Sequence, residues 1–335
     1  YGRVDRVAGW FLLARMYLNA QTWINENKYQ EAYAYAVKVI ADGHYPLASD
    51  YREIFLADNN TCKEIIWPLV QDGLRAQSSA GTNFYVKAFV NGPMDELYKT
   101  GVGSRGWGNV RAKVSLVDAF DADDVMFDGN DTWGNNKKDK RAQFMTALPN
   151  QVKDTWDVNM DMTSTFTCGY GYIKWRNVTK EDELCPSGDA YTSIDFPLFR
   201  TADAYLMAAE AILRGANGTQ SEALGYVNEV RTRAYMSGKY ARNGVRSDVS
   251  GEITASELNL DFLLVERQKE LASELTRRTD LIRFGKYTKG NNWDWKNGVR
   301  LGADVDDKYN LFPIPESELT NNPTLVQNDG YKVIK

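Results

Sequence analysis

Few residue types that carry covalent chemistry occur in usable sets. The chain holds one histidine, His44, so any Ser-His or Cys-His nucleophile system, and any His-rich zinc site, must run through that position. It sits in Asp42-Gly43-His44-Tyr45-Pro46, where Gly and Pro mark a helix end, and reads as structural or solvated. Cys62, Cys168 and Cys185 are widely spaced with no CxxC, which indicates neither a disulfide framework nor a metal knuckle. Acidic residues gather at Asp118, Asp121, Asp123 and Asp124, at Asp128-Gly129-Asn130-Asp131, and at Asp304, Asp306 and Asp307. None follows the EF-hand order of a Ca²⁺ loop, so each reads as a solvated turn. Two of these carboxylates could act as glycosidase acid and base, a chemistry that their separation decides. Gly101-Val102-Gly103-Ser104-Arg105-Gly106 has GxGxxG spacing, but Met94 to Lys99 before it is short and polar, and Trp107-Gly108-Asn109 follows. A dinucleotide fingerprint needs a buried strand before and a helix after, so the motif reads as a flexible turn. No cofactor and no metal is implied.

The aromatic residues say more: nine Trp, nineteen Tyr and thirteen Phe. Trp10, Tyr17, Tyr35 and Tyr205 fall at helical spacing and read as core. Trp107 and Trp133 instead lie among Gly and Asn, and Trp156, Tyr170, Tyr172, Trp175, Trp293 and Trp295 have similarly polar neighbours. A rigid ring in a loop offers a flat apolar face while nearby Asn, Asp and Arg supply directed hydrogen bonds. Sugar rings, with apolar C–H faces and hydroxyl rims, suit that combination. The candidate ligand-binding residues are Trp107, Trp133, Trp156, Tyr172, Trp175 and Trp293, with Trp107 and Trp133 preferred.

These rings must be held by a scaffold, and its pattern is helical. Val7, Trp10, Phe11, Ala14, Tyr17 and Leu18 follow the i, i+3, i+4, i+7 rhythm of one helix face. A second helix, Glu31 to Ala41, completes an αα-hairpin. Ala202, Tyr205, Leu206, Ala209, Ile212 and Leu213 repeat the first pattern 195 residues on, and Glu222-Ala223-x-x-Tyr226 repeats Glu31-Ala32-x-x-Tyr35. Repeated hairpins with Ala at close-packing positions suggest a tetratricopeptide-like stack. A third helix is expected from about Leu258 to Arg278, burying Phe262, Val265, Leu271 and Leu275 and exposing a charged face of Glu266, Arg267, Glu270 and Glu274. Between about 72 and 194 the chain is rich in Gly, Asn, Asp and Trp with little period; short strands are expected at Glu64 to Val70 and Tyr170 to Trp175, and one short helix at Ser115 to Phe120. Long irregular stretches in a compact protein usually form working loops. The fold class is therefore mainly α, with a long, loop-rich, sparsely stranded excursion.

The 335 residues are 43% hydrophobic and 25% charged, and no apolar run approaches the roughly 18 residues of a membrane-spanning helix. A net charge of −5 leaves no basic footprint for phosphates, so nucleic acid is not an expected partner. The chain opens on Tyr1 with an amphipathic helix close behind, which suggests that further repeats precede it.

Several segments resemble the starch-utilisation SusD/RagB family of surface nutrient-binding lipoproteins of Bacteroidetes-type bacteria. The most specific is Leu311-Phe312-Pro313-Ile314-Pro315-Glu316-x-Glu318-Leu319 followed by Asn322-Pro323-x-Leu325-x-Gln327-Asn328-x-Gly330-Tyr331. Next is Glu266-Arg267-x-x-Glu270-Leu271 with Arg277-Arg278-x-Asp280-Leu281-x-Arg283-Phe284-Gly285-Lys286. Gly106-Trp107-Gly108 before Leu116-Val117-x-Ala119-Phe120, the Phe196 to Glu210 segment, and Val227-Asn228-x-Val230-Arg231-x-Arg233-Ala234 also match, in family order. One departure is Leu275, where the family usually has Gly, and it bears on local helix geometry. The resemblance implies a tetratricopeptide-like scaffold, with residues 1–60 ending an N-terminal repeat region and 61–335 forming the C-terminal region (loop-rich about 72–194, helical about 195–335). It further implies non-catalytic binding of an oligosaccharide or polysaccharide and its delivery to a SusC-like TonB-dependent transporter. Attachment to the cell outer membrane by an N-terminal lipid lying outside this chain goes with it. Peptide or protein capture, as in RagB-like relatives, and an α-helical glycoside hydrolase are the alternatives.

Overall fold

The computed structural model describes residues 1–75, 77, 79–90, 95, 98–125, 137–145, 170–236, 250–290 and 292–332. Trp133, Trp156, Cys168 and the Asp128 to Asp131 cluster lie outside them. The helices are α1 (Arg6–Ile24), α2 (Tyr29–Asp42), α3 (Thr82–Ala88), α4 (Val114–Val117), α5 (Ala122–Val125), α6 (Thr201–Leu213), α7 (Gln220–Met236), α8 (Leu260–Leu271), α9 (Arg277–Arg283) and α10 (Glu316–Asn321). The strands are β1 (Ile65–Leu69), β2 (Phe144–Met145), β3 (Gly171–Tyr172) and β4 (Phe196–Arg200). The mainly helical class is as the sequence implies. No helix among the described residues is long and apolar enough to cross a membrane. The chain divides into two compact units, Tyr1–Leu275 and Thr276–Lys335, so α1 and α2 share one unit with everything from 61 to 275.

In the first unit the two repeated hairpins are α1–α2 and α6–α7. Asp5 caps α1, its Oδ1 accepting the Ala8 amide at 2.9 Å, and α2 ends at Gly43 in the left-handed conformation that a Cβ disfavours. Ala14, Ala32, Ala36, Ala204, Ala208 and Ala211 are fully buried in one cluster with Phe11, Leu18 and Met207, so small residues let α2 approach α6 closely. Tyr35 stacks on Tyr17 at 5.7 Å, and its repeat counterpart Tyr226 meets Tyr205 at 5.9 Å. β1 and β4 pair antiparallel, Ile65 opposite Arg200 and Leu69 opposite Phe196, and join this stack to the loop-rich part. The strand expected at Tyr170 to Trp175 shrinks to Gly171–Tyr172, paired with Phe144–Met145.

The third helix departs from expectation in extent and in facing. It stops at Leu271, and Ser273 (φ 62°) and Leu275 (φ 63°) take left-handed backbone before α9 begins. Leu275 is 74% exposed and Val265 40%, whereas Glu266, Arg267 and Glu270 are buried beside Leu263, Leu264 and Leu271. The charges face inward because other elements bring counter-charges to them. Arg200 at the end of β4 donates to Glu64 (3.0 Å), Glu270 (2.7 Å) and Glu274 (2.6 Å). Arg233 of α7 reaches Glu64 at 2.6 Å and also Glu270. Arg141 donates to Glu266 at 2.6 Å, Glu270 at 3.2 Å and Asp139 at 2.9 Å. Asp203 of α6 accepts from Arg15 of α1 and Arg267 of α8, each at 2.8 Å.

The second unit carries short helices and turns joined by irregular chain, held by side-chain bonds to backbone. The Gln327 amide pairs with both backbone groups of Ile314 (2.8 and 2.9 Å), Asn328 Nδ2 donates to Phe312 O at 2.7 Å, and Tyr331 Oη donates to Leu311 O at 2.8 Å. The Arg278 guanidinium lies 4.1 Å from the Phe312 ring centroid. The most family-specific run of the sequence is thus a structural clasp.

Candidate functional site

The turn with GxGxxG spacing is built to present Trp107. Asp95 organises it: Oδ1 accepts the Thr100 hydroxyl and the Val102 amide (3.1 Å), and Oδ2 accepts the Gly103 amide (3.0 Å). Gly101 has φ 78°, and a Cβ there would lie 2.5 Å from Asn177 O, so only glycine fits. A short 3₁₀ turn, Gly103–Arg105, follows. The next residues lie along the end of α3, with the Trp107 amide donating to Lys87 O (2.7 Å), Gly108 to Val90 O (2.8 Å) and Val110 to Ala88 O (2.9 Å). The motif is therefore a turn laced to α3, with no strand before it and no helix directly after it among the described residues.

This lacing brings the Trp107 ring 6.1 Å from that of Phe84 on α3, inclined at 59°. Both side chains are 41% exposed, unusual for two neighbouring large rings. Beside them opens a cleft of ≈ 410 Å³ lined by Ser79, Asn83, Lys87, Arg105, Trp107 and Tyr191. The loop at 189–191 forms its far wall: Arg105 Nε donates to Asp189 Oδ1 at 2.9 Å, and Lys87 Nζ to Ala190 O at 2.6 Å. Burial holds the Lys87 ammonium below its ordinary pKa, the nearby Arg105 charge adds to that, and Asp189 opposes it. A second hollow, ≈ 570 Å³ and almost wholly apolar, is bordered by Leu69, Phe84, Tyr85, Phe196, Leu198 and Leu275, with Ser79 common to both. The lining combines flat apolar faces with directed donors and acceptors. Its lysine, Lys87, donates to Ala190 O rather than to a lining serine, and among the described residues no group of three or more His, Cys, Asp or Glu side chains is placed to hold a metal ion.

Of the aromatic residues singled out from sequence, Trp107 is the exposed ring of this cleft. Tyr172 and Trp175 are each 1% exposed, which corrects their reading as loop-borne platforms. Trp175 is the centre of an aromatic core, stacked on Tyr85 (5.4 Å) and Phe196 (5.5 Å) and edge-on to Phe55 (4.9 Å). Tyr172 packs on Phe144 at 5.2 Å. The polar neighbours that suggested a surface loop, Lys174, Arg176 and Asn177, are buried too. Trp293 belongs to the second unit, half-buried, with Tyr287 at 5.6 Å and the Lys296 ammonium 4.9 Å from its centroid. Phe84, Asn83 and Lys87 were missed. They sit on a helix of seven residues, too short to show a period; its one local signal is Gly81, whose positive φ sets the chain into α3. His44 is exposed and bonded to Asp42 at 2.6 Å. Asp124 accepts the backbone amides of Lys138 and Asp139, and Asp304 that of Gly290, so these carboxylates anchor loops.

The sequence pattern of the SusD family matches residues 63–331. Starch-binding protein SusD of Bacteroides thetaiotaomicron is 33% identical over 362 residues, taking in 99% of this chain and 61% of that protein. SusD-like protein P25 of Formosa agariphila is 25% identical, over 98% of this chain and 59% of its own length. The chain thus spans about three fifths of these curated relatives. Among solved structures, a SusD-like protein from Bacteroides fragilis superposes with a TM-score of 0.65 at 21% identity, covering 98% of this chain and 66% of its own. Surface glycan-binding protein A from Bacteroides thetaiotaomicron, in complex with laminarihexaose, does so at 0.63 and 21%, covering 98% and 64%. At that identity these likenesses speak for the fold; the family pattern and the 33% identity along nearly the whole chain go further, and the chain belongs to the SusD family.

Proposed function

We propose that this chain binds an oligosaccharide or polysaccharide without transforming it, in the cleft beside Phe84 and Trp107. The observation that carries the reading is that pair of half-exposed, inclined rings set against Asn83, Lys87, Arg105 and Tyr191. A pyranose laid on the rings buries its apolar face while its rim meets the polar wall. The names of the relatives, a starch-binding protein and a surface glycan-binding protein in complex with laminarihexaose, support the same ligand class. Within the whole protein, the family implies a lipoprotein on the surface of the outer membrane that hands its glycan to a SusC-like TonB-dependent transporter. Trp133, Trp156 and Trp293 stay in the proposal as further ligand contacts, the first two lying outside the described residues.

Titration of the protein with a panel of soluble polysaccharides by calorimetry, with reducing ends assayed in the same mixtures, tests this. Saturable binding with no new reducing ends is expected; release of reducing sugar would transfer the reading to an α-helical glycoside hydrolase. A second reading, peptide or protein capture as in RagB-like relatives, draws on the apolar hollow bordered by Leu69, Phe84 and Leu275, which suits aliphatic side chains. Binding of a peptide pool with indifference to every glycan would favour it.

A further inference from the structure

The polar wall of the Trp107 cleft is not charge-neutral. Lys87 is 5% exposed, and its ammonium, with three protons to donate, has one acceptor among the described residues, Ala190 O at 2.6 Å. Arg105 engages Asp189 through Nε alone, at 2.9 Å, which leaves both terminal nitrogens of the guanidinium without a partner among the described residues. Two cations therefore face one carboxylate, and that carboxylate is spent on the outer edge of Arg105. The two cations also act on each other, since the Arg105 charge disfavours protonation of the desolvated Lys87. A hydroxyl or an ordered water satisfies a donor but does not cancel this repulsion; an anion does both, through charge-assisted hydrogen bonds. A separate observation points to what the anion is attached to. Asn83, a lining residue only 2% exposed, has its Oδ1 buried with no hydrogen-bond partner among the described residues. A buried acceptor of that kind calls for a donor, and the hydroxyl of a bound sugar is one.

Resting on the glycan-binding reading, we infer that the sugar taken at Trp107 carries an anionic substituent, a carboxylate or a sulfate, held between Lys87 and Arg105 while a neighbouring hydroxyl donates to Asn83. The site then selects acidic glycans over neutral ones of the same length. The exposed rings supply affinity common to both, and the two cations supply the difference.

The test is calorimetric titration of the whole chain with three hexasaccharides: neutral maltohexaose, hexagalacturonate for the carboxylate, and a carrageenan-type sulfated hexasaccharide. Each is measured at low and high salt. At least one acidic ligand is expected to bind about tenfold or more tightly than the neutral one, with the advantage shrinking as salt screens the cations; whichever acidic ligand leads identifies the anion. Arg105→Gln, at an exposed position, and Lys87→Gln, checked for folding by circular dichroism, are each expected to draw the acidic-to-neutral affinity ratio toward one. Equal or tighter binding of the neutral hexasaccharide, or a ratio unmoved by Arg105→Gln, overturns the inference. Trp107→Ala separates the two levels of the argument: if it weakens a neutral ligand that binds as well as the acidic ones, the cleft stands and the acidic preference falls. If binding is indifferent to it, or if none of the three ligands binds, both fall.

Discussion

Trp107 and Trp175 have similar local sequence and opposite surroundings. Both are flanked by Gly, Asn or charged residues, yet Trp107 is 41% exposed and Trp175 1%. The difference lies in partners far along the chain: Phe55, Tyr85 and Phe196 close over Trp175, and the residues beside it are buried polar groups with partners of their own, such as Lys174 Nζ on Glu274 at 2.5 Å. No local window contains that information. Two substitutions separate the roles. Trp175→Ala should cost roughly 3–5 kcal/mol of stability in urea unfolding, the range for emptying a core aromatic site. Trp107→Ala should leave the unfolding midpoint nearly unchanged and reduce glycan affinity about tenfold or more by calorimetry. Leu275 makes a third case. Its left-handed backbone (φ 63°) costs a non-glycine residue roughly 1–2 kcal/mol, and as an exposed side chain it forgoes little burial. Leu275→Gly should therefore raise stability by up to about 1 kcal/mol, less than the full relief because glycine has more freedom to lose on folding. The comparison with family pattern marked this position, and the backbone gives the reason that glycine suits it.

Periodicity was a sound guide where a helix buries one apolar stripe and failed where it buries charge. α1, α2, α6 and α7 follow their Ala and aromatic spacing closely. α8 was turned inside out, because a sequence cannot say that Arg141, Arg200, Arg231 and Arg233 converge on Glu266 and Glu270 from three separate segments. α3 was overlooked for its length. The inward charge of α8 has measurable consequences. Glu270→Ala strips a shared acceptor from three buried guanidiniums, and a loss of roughly 3–5 kcal/mol is expected in denaturant unfolding, the range for breaking buried pairs. Acid should act on the same network. The arginines around Glu270 hold its carboxyl down to about 2, against the burial that opposes them, and arginines likewise hold Asp203 and Asp139 below the usual carboxylate range. A lowered folded-state pKa gives stability that is complete above the unfolded value, about 4, and lost as pH falls toward the folded value. Asp124 and Asp195, raised by burial, work in the opposite sense and regain some stability on protonation. The urea midpoint should thus stay nearly level down to about pH 4 and fall steeply below it; a flat profile down to about pH 2.5 would contradict the network's role.

For the molecule as a whole, the spaced motifs from Gly106 to Tyr331 were enough to reach the family, whose pattern matches residues 63–331. They were not enough to reach the site. The most specific run, Leu311 to Tyr331, clasps its own backbone, and the Glu266 to Glu274 run belongs to the buried ion network. Of the matching segments, Gly106-Trp107-Gly108 alone contributes a ring to the cleft, and its partners Phe84 and Lys87 come from a stretch with no motif. The proposed site is made by loops and the short α3 held on a scaffold, and the scaffold is what sequence patterns record. The most direct measurement is the affinity of the wild-type chain and of Trp107→Ala for the tightest-binding glycan of a soluble panel, at equal folding stability, with reducing ends followed in parallel. Weakening by about tenfold or more with no sugar released is the predicted result; unchanged affinity, or turnover of the glycan, would contradict it.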